Sequence, residues 1–211
     1  MHAQWPGQLV GGLAQMELEL GKAQQERLLA YLQLLHKWNR AFNLTAVRDP
    51  ALAVSRHLLD SLSILPLVQG PRVLDLGSGA GLPGVPLAIA RPDWRVTLLD
   101  AKGKKTRFLG QVRLELGLEN LEVVHARVEE HSPDELFQTI VSRAFAALPT
   151  MVDLSRHLLA PEGRWVAMKG RIPRQEIEAM GDEISVGVIP LAVPGEEGAR
   201  HALILRGISN N

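Results

Sequence analysis

Cysteine is absent from the 211 residues. That excludes disulfides, thiolate metal sites and a cysteine nucleophile, and with them any chemistry that needs a covalent thiolate adduct. Neither sign of charge is in excess: 23 lysines and arginines balance 23 aspartates and glutamates. The overall positive field of a nucleic-acid binder is therefore missing, and any RNA contact must come from local patches. No stretch approaches the roughly 20 apolar residues that span a bilayer, and Met1 to Gly12 lacks the charged region followed by an apolar run of a signal peptide. These absences lead us to expect a soluble, cytoplasmic protein without a membrane partner. The seven histidines show no ligand spacing, so no metal is expected. No internal repeat or low-complexity tract is visible either.

What is present suits one substantial domain with an appendage, since 46% of the residues are hydrophobic. Gln24 to Phe42 places Leu28, Leu32, Leu35 and Trp38 three and four residues apart, with Leu29 and Tyr31 alongside, which predicts an amphipathic helix. A second helix is expected after Pro50, with Asp49 as N-cap and a stripe through Val54, Leu58, Leu62 and Leu65, closed by Pro66 and Gly70-Pro71. From Arg72 the rhythm changes to short apolar runs at Arg72–Leu76, Arg95–Leu99, Leu121–His125, Thr139–Val141, Gly163–Met168, Ile184–Val193 and His201–Leu205. Strands alternating with helical patterns predict a doubly wound α/β fold with a largely parallel sheet. Lys104 to Leu116, ended by Gly117, is the clearest intervening helix. Pro194-Gly195-Glu196-Glu197-Gly198 combines turn formers and charge, as in a hairpin joining the last two strands. The expected organisation is an N-terminal helical extension, residues 1–70, packed on one α/β domain, residues 71–211.

The strongest chemical signal is Val73-Leu74-Asp75-Leu76-Gly77-Ser78-Gly79-Ala80-Gly81-Leu82-Pro83-Gly84, a strand running into a glycine-rich turn and a helix. Glycines there permit positive φ and let a ligand approach bare backbone. Gly79, Gly81 and Gly84 have G-x-G-x-x-G spacing, and Asp100 follows at the end of the next strand. That spacing alone leaves NAD and S-adenosylmethionine both open. Two details favour the second. Asp75 offers a carboxylate to the cationic end of a ligand, and Pro83 and Pro86 remove N–H donors that a pyrophosphate would want. Asp100 is placed to accept from both ribose hydroxyls or, in the plainer reading, to cap the following helix. Val128 and Glu129 fall where the adenine edge lies in this fold, although a solvated glutamate reads as well.

The residues that carry a family resemblance run in order along most of the chain. They are His36-Lys37-Trp38-Asn39 with Phe42-Asn43-Leu44-Thr45, Arg56-His57 with Leu59-Asp60-Ser61, the Gly77 to Gly84 loop, and Leu98-Leu99-Asp100. Arg127-Val128-Glu129-Glu130, Ser142-Arg143-Ala144-Phe145-Ala146 and Lys169-Gly170 continue them. In these segments the chain resembles the bacterial small-subunit rRNA guanine-N7 methyltransferases, also called the glucose-inhibited division protein B family; little of the likeness lies beyond Met180. The resemblance implies a Rossmann-like class I S-adenosylmethionine-dependent fold with a seven-stranded sheet. It implies methyl transfer to N7 of one guanine, position 527 of 16S rRNA, in the small subunit or an assembly intermediate, with no obligate protein partner. Cofactor contacts carry over to Gly77, Leu82, Val128, Glu129 and Arg143, with Gly79 in the same loop and Asp100 on the ribose.

The chemistry agrees with that implication. Guanine N7 has an in-plane lone pair and no proton, so it can attack a sulfonium methyl without a general base, and the enzyme supplies alignment and field. No Asn-Pro-Pro-Tyr-like motif, common in exocyclic-amine methyltransferases, follows the fourth strand; Ser142-Arg143-Ala144-Phe145 stands there instead. Arg143 is a candidate to orient substrate or brace the cofactor carboxylate, against a structural ion pair. Lys169, at the end of the fifth strand, is a candidate to touch RNA phosphate or the guanine edge, against a solvated lysine. Phe145 is either a base-stacking ring or core. Lys102, Lys104, Lys105 and Arg107, and separately Lys169, Arg171 and Arg174, read equally as RNA contacts or solvated faces. Arg56 has no assigned role, and His57 reads as a core histidine within the helix pair.

Overall fold

The computed structural model describes residues 2–208. Its centre is one seven-stranded sheet of β1 (Arg72–Leu76), β2 (Arg95–Leu99), β3 (Leu121–Val124), β4 (Phe137–Arg143), β5 (Leu159–Lys169), β6 (Ile184–Pro190) and β7 (His201–Gly207), in the spatial order β3-β2-β1-β4-β5-β7-β6. The first five strands run parallel, and β7 inserts antiparallel between β5 and β6. The doubly wound, largely parallel sheet predicted from the strand and helix pattern is observed, with the seven strands that the resemblance implies. The chain winds outward from β1 to β3, then returns to start β4 on the other side of β1. Such a reversal opens a crevice at the carboxyl ends of the strands, where ligands of doubly wound sheets bind.

Alternation along each strand sorts the side chains between two cores. Val73, Leu98, Val141 and Val166 face the larger one, and Leu74, Leu99, Ile140 and Trp165 the smaller. The larger core is continuous with the N-terminal segment and with α4 (Gly84–Ala90) and α5 (Gly103–Leu116); the smaller is covered by α6 (Leu148–Ser155) and touches α7 (Arg174–Glu178) through Ile177. Gly117 ends α5 in the left-handed region at φ +60°, as its position predicts.

The N-terminal segment begins with α1 (Trp5–Gln15), which the periodicity does not announce. Gly7, Gly11 and Gly12 lower its intrinsic propensity, but Trp5, Leu9 and Leu13 are buried, and Gly12 lies so close to Leu59 that a Cβ would clash. Trp5 Nε1 donates to the Pro50 carbonyl at 2.8 Å. The helix predicted over Gln24 to Phe42 is α2 (Lys22–Phe42), with Leu28, Tyr31, Leu32 and Leu35 fully buried.

The third element departs from expectation. Asp49 caps it, Oδ1 accepting from Ala51 N at 2.9 Å, and Val54, Leu58 and Leu62 are buried as the stripe requires. Yet it is not one α-helix. A 3₁₀ turn (Pro50–Leu52) leads into a wide π turn (Val54–Leu59), a short α turn, α3 (Asp60–Leu62), and another 3₁₀ turn (Leu65–Leu67). Wide turns of this kind recur at functional sites because they re-aim side chains. Here Arg56, His57 and Asp60 all reach one cavity.

Candidate functional site

Two cavities meet at the carboxyl end of the sheet. The first, of about 330 Å³, is lined by Gly77 and Gly79 of the glycine loop, Leu99 to Lys102 after β2, Lys105, Ala126, Val128, and Ala144-Phe145 after β4. Gly77, Gly79 and Gly81 have φ of +67°, +60° and +90°, so the loop turns back over the strand end in conformations that side-chain-bearing residues resist. Gly77 N and Ser78 N both donate to the Leu99 carbonyl, at 2.9 and 3.1 Å.

Asp100 is the stitch between loop and sheet. Its Oδ2 accepts from Gly79 N at 2.9 Å and its Oδ1 from Lys102 N at 2.8 Å. Each carboxylate oxygen keeps a second lone pair, so a vicinal diol in the cavity finds an acceptor already fixed in place. The walls are apolar at Leu76, Leu99, Ala126 and Val128, and bare backbone at Gly77 and Gly79. A nucleoside fits this set of ribose acceptor, apolar slot and uncovered loop. Lys105 also reaches the cavity; burial pushes its ammonium below the usual lysine range, a tendency the Asp100 charge opposes.

The other expected contacts stand differently. Leu82 is buried under the loop, and Glu129 is exposed in the 3₁₀ turn Val128–Glu130, so neither side chain lines the cavity. Asp75 does not face it either. Position 75 shares the parity of Val73, so its carboxylate points toward α4, where Oδ2 accepts from Gly84 N at 2.8 Å and Oδ1 has no partner among the described residues. Complete burial pushes this carboxyl up to about 7, against the opposing pull of Gly84 N–H and of Arg143.

The loop is also held from outside. Tyr31 of α2, the single tyrosine of the chain, donates its hydroxyl to the Ala80 carbonyl at 2.7 Å and is fully buried. Burial raises its phenol pKa, so the donor is permanently protonated. Sequence periodicity assigns Tyr31 to the helix core; only its lone polar tip hints at a partner.

The second cavity, about 530 Å³, is lined by cations: Arg56, Arg143, Lys169 and Arg200, with His57, His201 and one carboxylate, Asp60. Arg143, of the same parity as Val141, points toward the N-terminal segment. Its Nη1 donates to Asp60 Oδ2 at 2.9 Å and to the Arg56 carbonyl at 3.0 Å. Lys169 has the opposite parity to Met168, and its ammonium donates to Ala146 O at 3.1 Å and Glu176 Oε2 at 3.0 Å. The same Glu176 oxygen accepts from Leu148 N at 2.7 Å, so Lys169 shapes the loop after β4. His57 is buried, and burial together with the Arg143 charge holds its imidazole down at about 4. It is neutral at physiological pH, with Nε2 3.4 Å from Thr45 Oγ1 and Nδ1 without a partner among the described residues.

Ala144 belongs to both cavities. It is a non-glycine residue at φ +57°, and this turn sends Arg143 into the cationic cavity while Phe145 folds back over Gly77, its Cδ2 only 2.5 Å from where a Cβ would stand. Of the basic clusters, Lys102 and Lys105 line the first cavity, and Lys104, Arg107, Arg171 and Arg174 are exposed. Among the described residues no group of histidines and carboxylates could hold a metal, and no helix is long and apolar enough to cross a membrane.

Solved structures share this architecture at low identity. A putative O-methyltransferase from Klebsiella pneumoniae matches with a TM-score of 0.62 and 14% identity, covering 98% of each chain. A SAM dependent methyltransferase from Aquifex aeolicus matches at 0.58 and 17%, covering 82% of this chain and 97% of its own. These show the fold. Sequence similarity is closer: ribosomal RNA small subunit methyltransferase G of Marinobacter nauticus is 55% identical over 205 residues, 97% of this chain and 96% of the relative. The family model described as rRNA small subunit methyltransferase G matches residues 24–204, and with both matches spanning loop, cavities and sheet, the chain belongs to the rRNA small subunit methyltransferase G family.

Proposed function

We propose that this protein transfers a methyl group from S-adenosylmethionine to N7 of a single guanine, position 527 of 16S rRNA, in the small ribosomal subunit or an assembly intermediate in the cytoplasm. The observation that carries the reading is the pairing of a nucleoside-shaped cavity under the glycine loop with a cation-lined cavity, joined at Ala144. S-adenosylmethionine, when bound, supplies an electrophilic sulfonium methyl. Gly77 and Gly79 would present backbone to it, Asp100 would accept from the ribose hydroxyls, and Val128, with the backbone of Glu129 and Leu82 behind, would bound the adenine. Arg143 Nη2, without a partner among the described residues, would meet the cofactor carboxylate or the guanine at the junction. Lys169 would act by holding the 144–148 loop in place.

No side chain has to remove a proton, because N7 carries none. Neutral, buried His57 and the pairing of the cavity's carboxylate, Asp60, with Arg143 and Arg200 accord with a site that aligns rather than deprotonates. The N-terminal extension, residues 1–70, contributes Arg56, His57 and Asp60 to the second cavity, so it acts with the α/β domain as one catalytic unit.

The test is methylation of small subunits isolated from cells lacking the modification, with labelled cofactor, followed by mass mapping of the rRNA. The expected product carries one added methyl on one guanine and becomes sensitive to strand scission after reduction, as N7-alkylated guanine does. Label in a metabolite pool and none in rRNA would overturn the reading.

A further inference from the structure

Glu196, in the loop between β6 and β7, has a side chain only 3% exposed, although its neighbour Glu197 is exposed. Gly195, at φ +79°, turns the chain against Ser55 and directs Glu196 inward. There its Oε1 accepts from Arg56 Nε at 2.8 Å, and its Oε2 pairs with Arg200 Nη2. Arg200 Nε in turn lies 3.2 Å from Asp60 Oδ1, and Asp60 Oδ2 accepts from Arg143. The result is an alternating chain, Arg56, Glu196, Arg200, Asp60, Arg143, assembled from the π turn, α3, the last hairpin and the end of β4.

Three features of this chain point to a ligand. Both carboxylates are nearly sealed from solvent, while Arg56 is 44% and Arg200 27% exposed at the side chain. All three guanidiniums line the cavity, whereas Glu196 does not. Two anions against three cations leave one positive charge in excess, and the terminal nitrogens of Arg56 have no partner among the described residues. A network built for stability alone would close its forks on one another. This one fixes Arg56 from behind through Nε and leaves both of its terminal nitrogens facing the cavity, the arrangement that recognises phosphate oxygens two at a time. Arg200, whose Nη1 also donates to the Ala199 carbonyl at 3.1 Å, keeps one N–H on each terminal nitrogen.

We propose that Arg56 and Arg200 bind consecutive backbone phosphates of the RNA strand that delivers the target guanine, and that Glu196 is a positioning residue holding both. The proposal rests on the RNA reading above and adds to it the residues that grip the strand. In an RNA-binding titration across salt concentration, Arg56→Gln weakens binding about tenfold and lowers the log–log salt slope by about 1. Arg56→Lys keeps the slope but not the affinity, because the charge survives and the fork does not. Melting temperature and cofactor affinity check folding. Glu196→Gln separates positioning from simple field effects by sign. Removing an anion beside the cavity would tighten RNA binding if only charge mattered; loss of positioning instead raises KM for RNA without a matching loss of kcat, and adds little in the Arg56→Gln background.

Wild-type affinity and slope in both Arg56 variants, or tighter binding by Glu196→Gln, would overturn the proposal while the RNA reading stood. Wild-type protein that neither binds nor methylates rRNA would overturn both, and the flat wild-type titration distinguishes that outcome.

Discussion

Replacing Gly77 by alanine tests how the glycine loop and the β4 loop are fitted together. The added Cβ meets two separate costs. Holding an alanine at φ +67° costs about 1–2 kcal/mol, and a Cβ 2.5 Å from Phe145 Cδ2 forces that ring to move, an overpacking cost of about 1–3 kcal/mol. Gly117 supplies the control, because it has φ +60° but nothing within 4 Å of an added Cβ; Gly117→Ala should show the first cost alone. Urea unfolding should therefore place Gly77→Ala about 2–5 kcal/mol below wild type with an unchanged m-value. Phe145→Ala in the same chain should recover the second cost as a coupling energy of about 1–3 kcal/mol. Cofactor affinity should fall in the single variant, since Phe145 lines the cavity into which it would be pushed. A coupling below about 0.5 kcal/mol, the additivity error for independent sites, would refute the reasoning.

Other expectations follow from the buried polar groups. Tyr31→Phe leaves the Ala80 carbonyl without its partner and should cost about 1–3 kcal/mol, with weakened cofactor binding measured by calorimetry. Asp60→Asn removes the anion between Arg143 and Arg200; breaking a buried ion pair from one side costs about 3–5 kcal/mol, visible as a lowered urea midpoint. Asp75 is raised in the fold from 3.8 to about 7, so its contribution is full below pH 4 and is lost as pH rises to 7, on the order of 4 kcal/mol in all. Asp75→Asn should flatten that decline in unfolding curves recorded across pH. His57, lowered from 6.5 to about 4, works in the other direction: its contribution is full above pH 6.5 and is lost as pH falls toward 4, and His57→Gln should remove roughly 3 kcal/mol of that acid sensitivity. An unaltered pH profile in either variant would contradict the corresponding burial.

The sheet was legible in the sequence because each strand contains a short apolar run bounded by turn formers or helical patterns, which depends on local chain alone. The glycine loop was legible for a similar reason, since positive φ at Gly77, Gly79 and Gly81 requires the residue type that stands there. Helix α1 was not, because its glycines argue against a helix that only tertiary burial of Trp5, Leu9 and Leu13 stabilises. The segment from Pro50 to Leu67 kept its apolar stripe but not its hydrogen-bonding period, and no residue spacing distinguishes a π turn from an α turn. Asp75 was open to a better reading: counting from Val73 places it under α4. Arg200 and Glu196 were beyond reach, since Arg56 and Glu196 meet across 140 residues of chain and nothing local in either marks the other. Arg143 was singled out, but its partner Asp60 could be named only once the N-terminal segment was seen against β4.

The left-handed turn at Ala144 acts as a watershed. Side chains before and after it drain into different chambers, so one inserted or deleted residue between Ser142 and Ala146 would displace the arginine or the aromatic ring from the chamber it now serves. On the proposed reading, donor and acceptor approach each other across nothing bulkier than this alanine's methyl, and the smallness of that one side chain sets how near they can come.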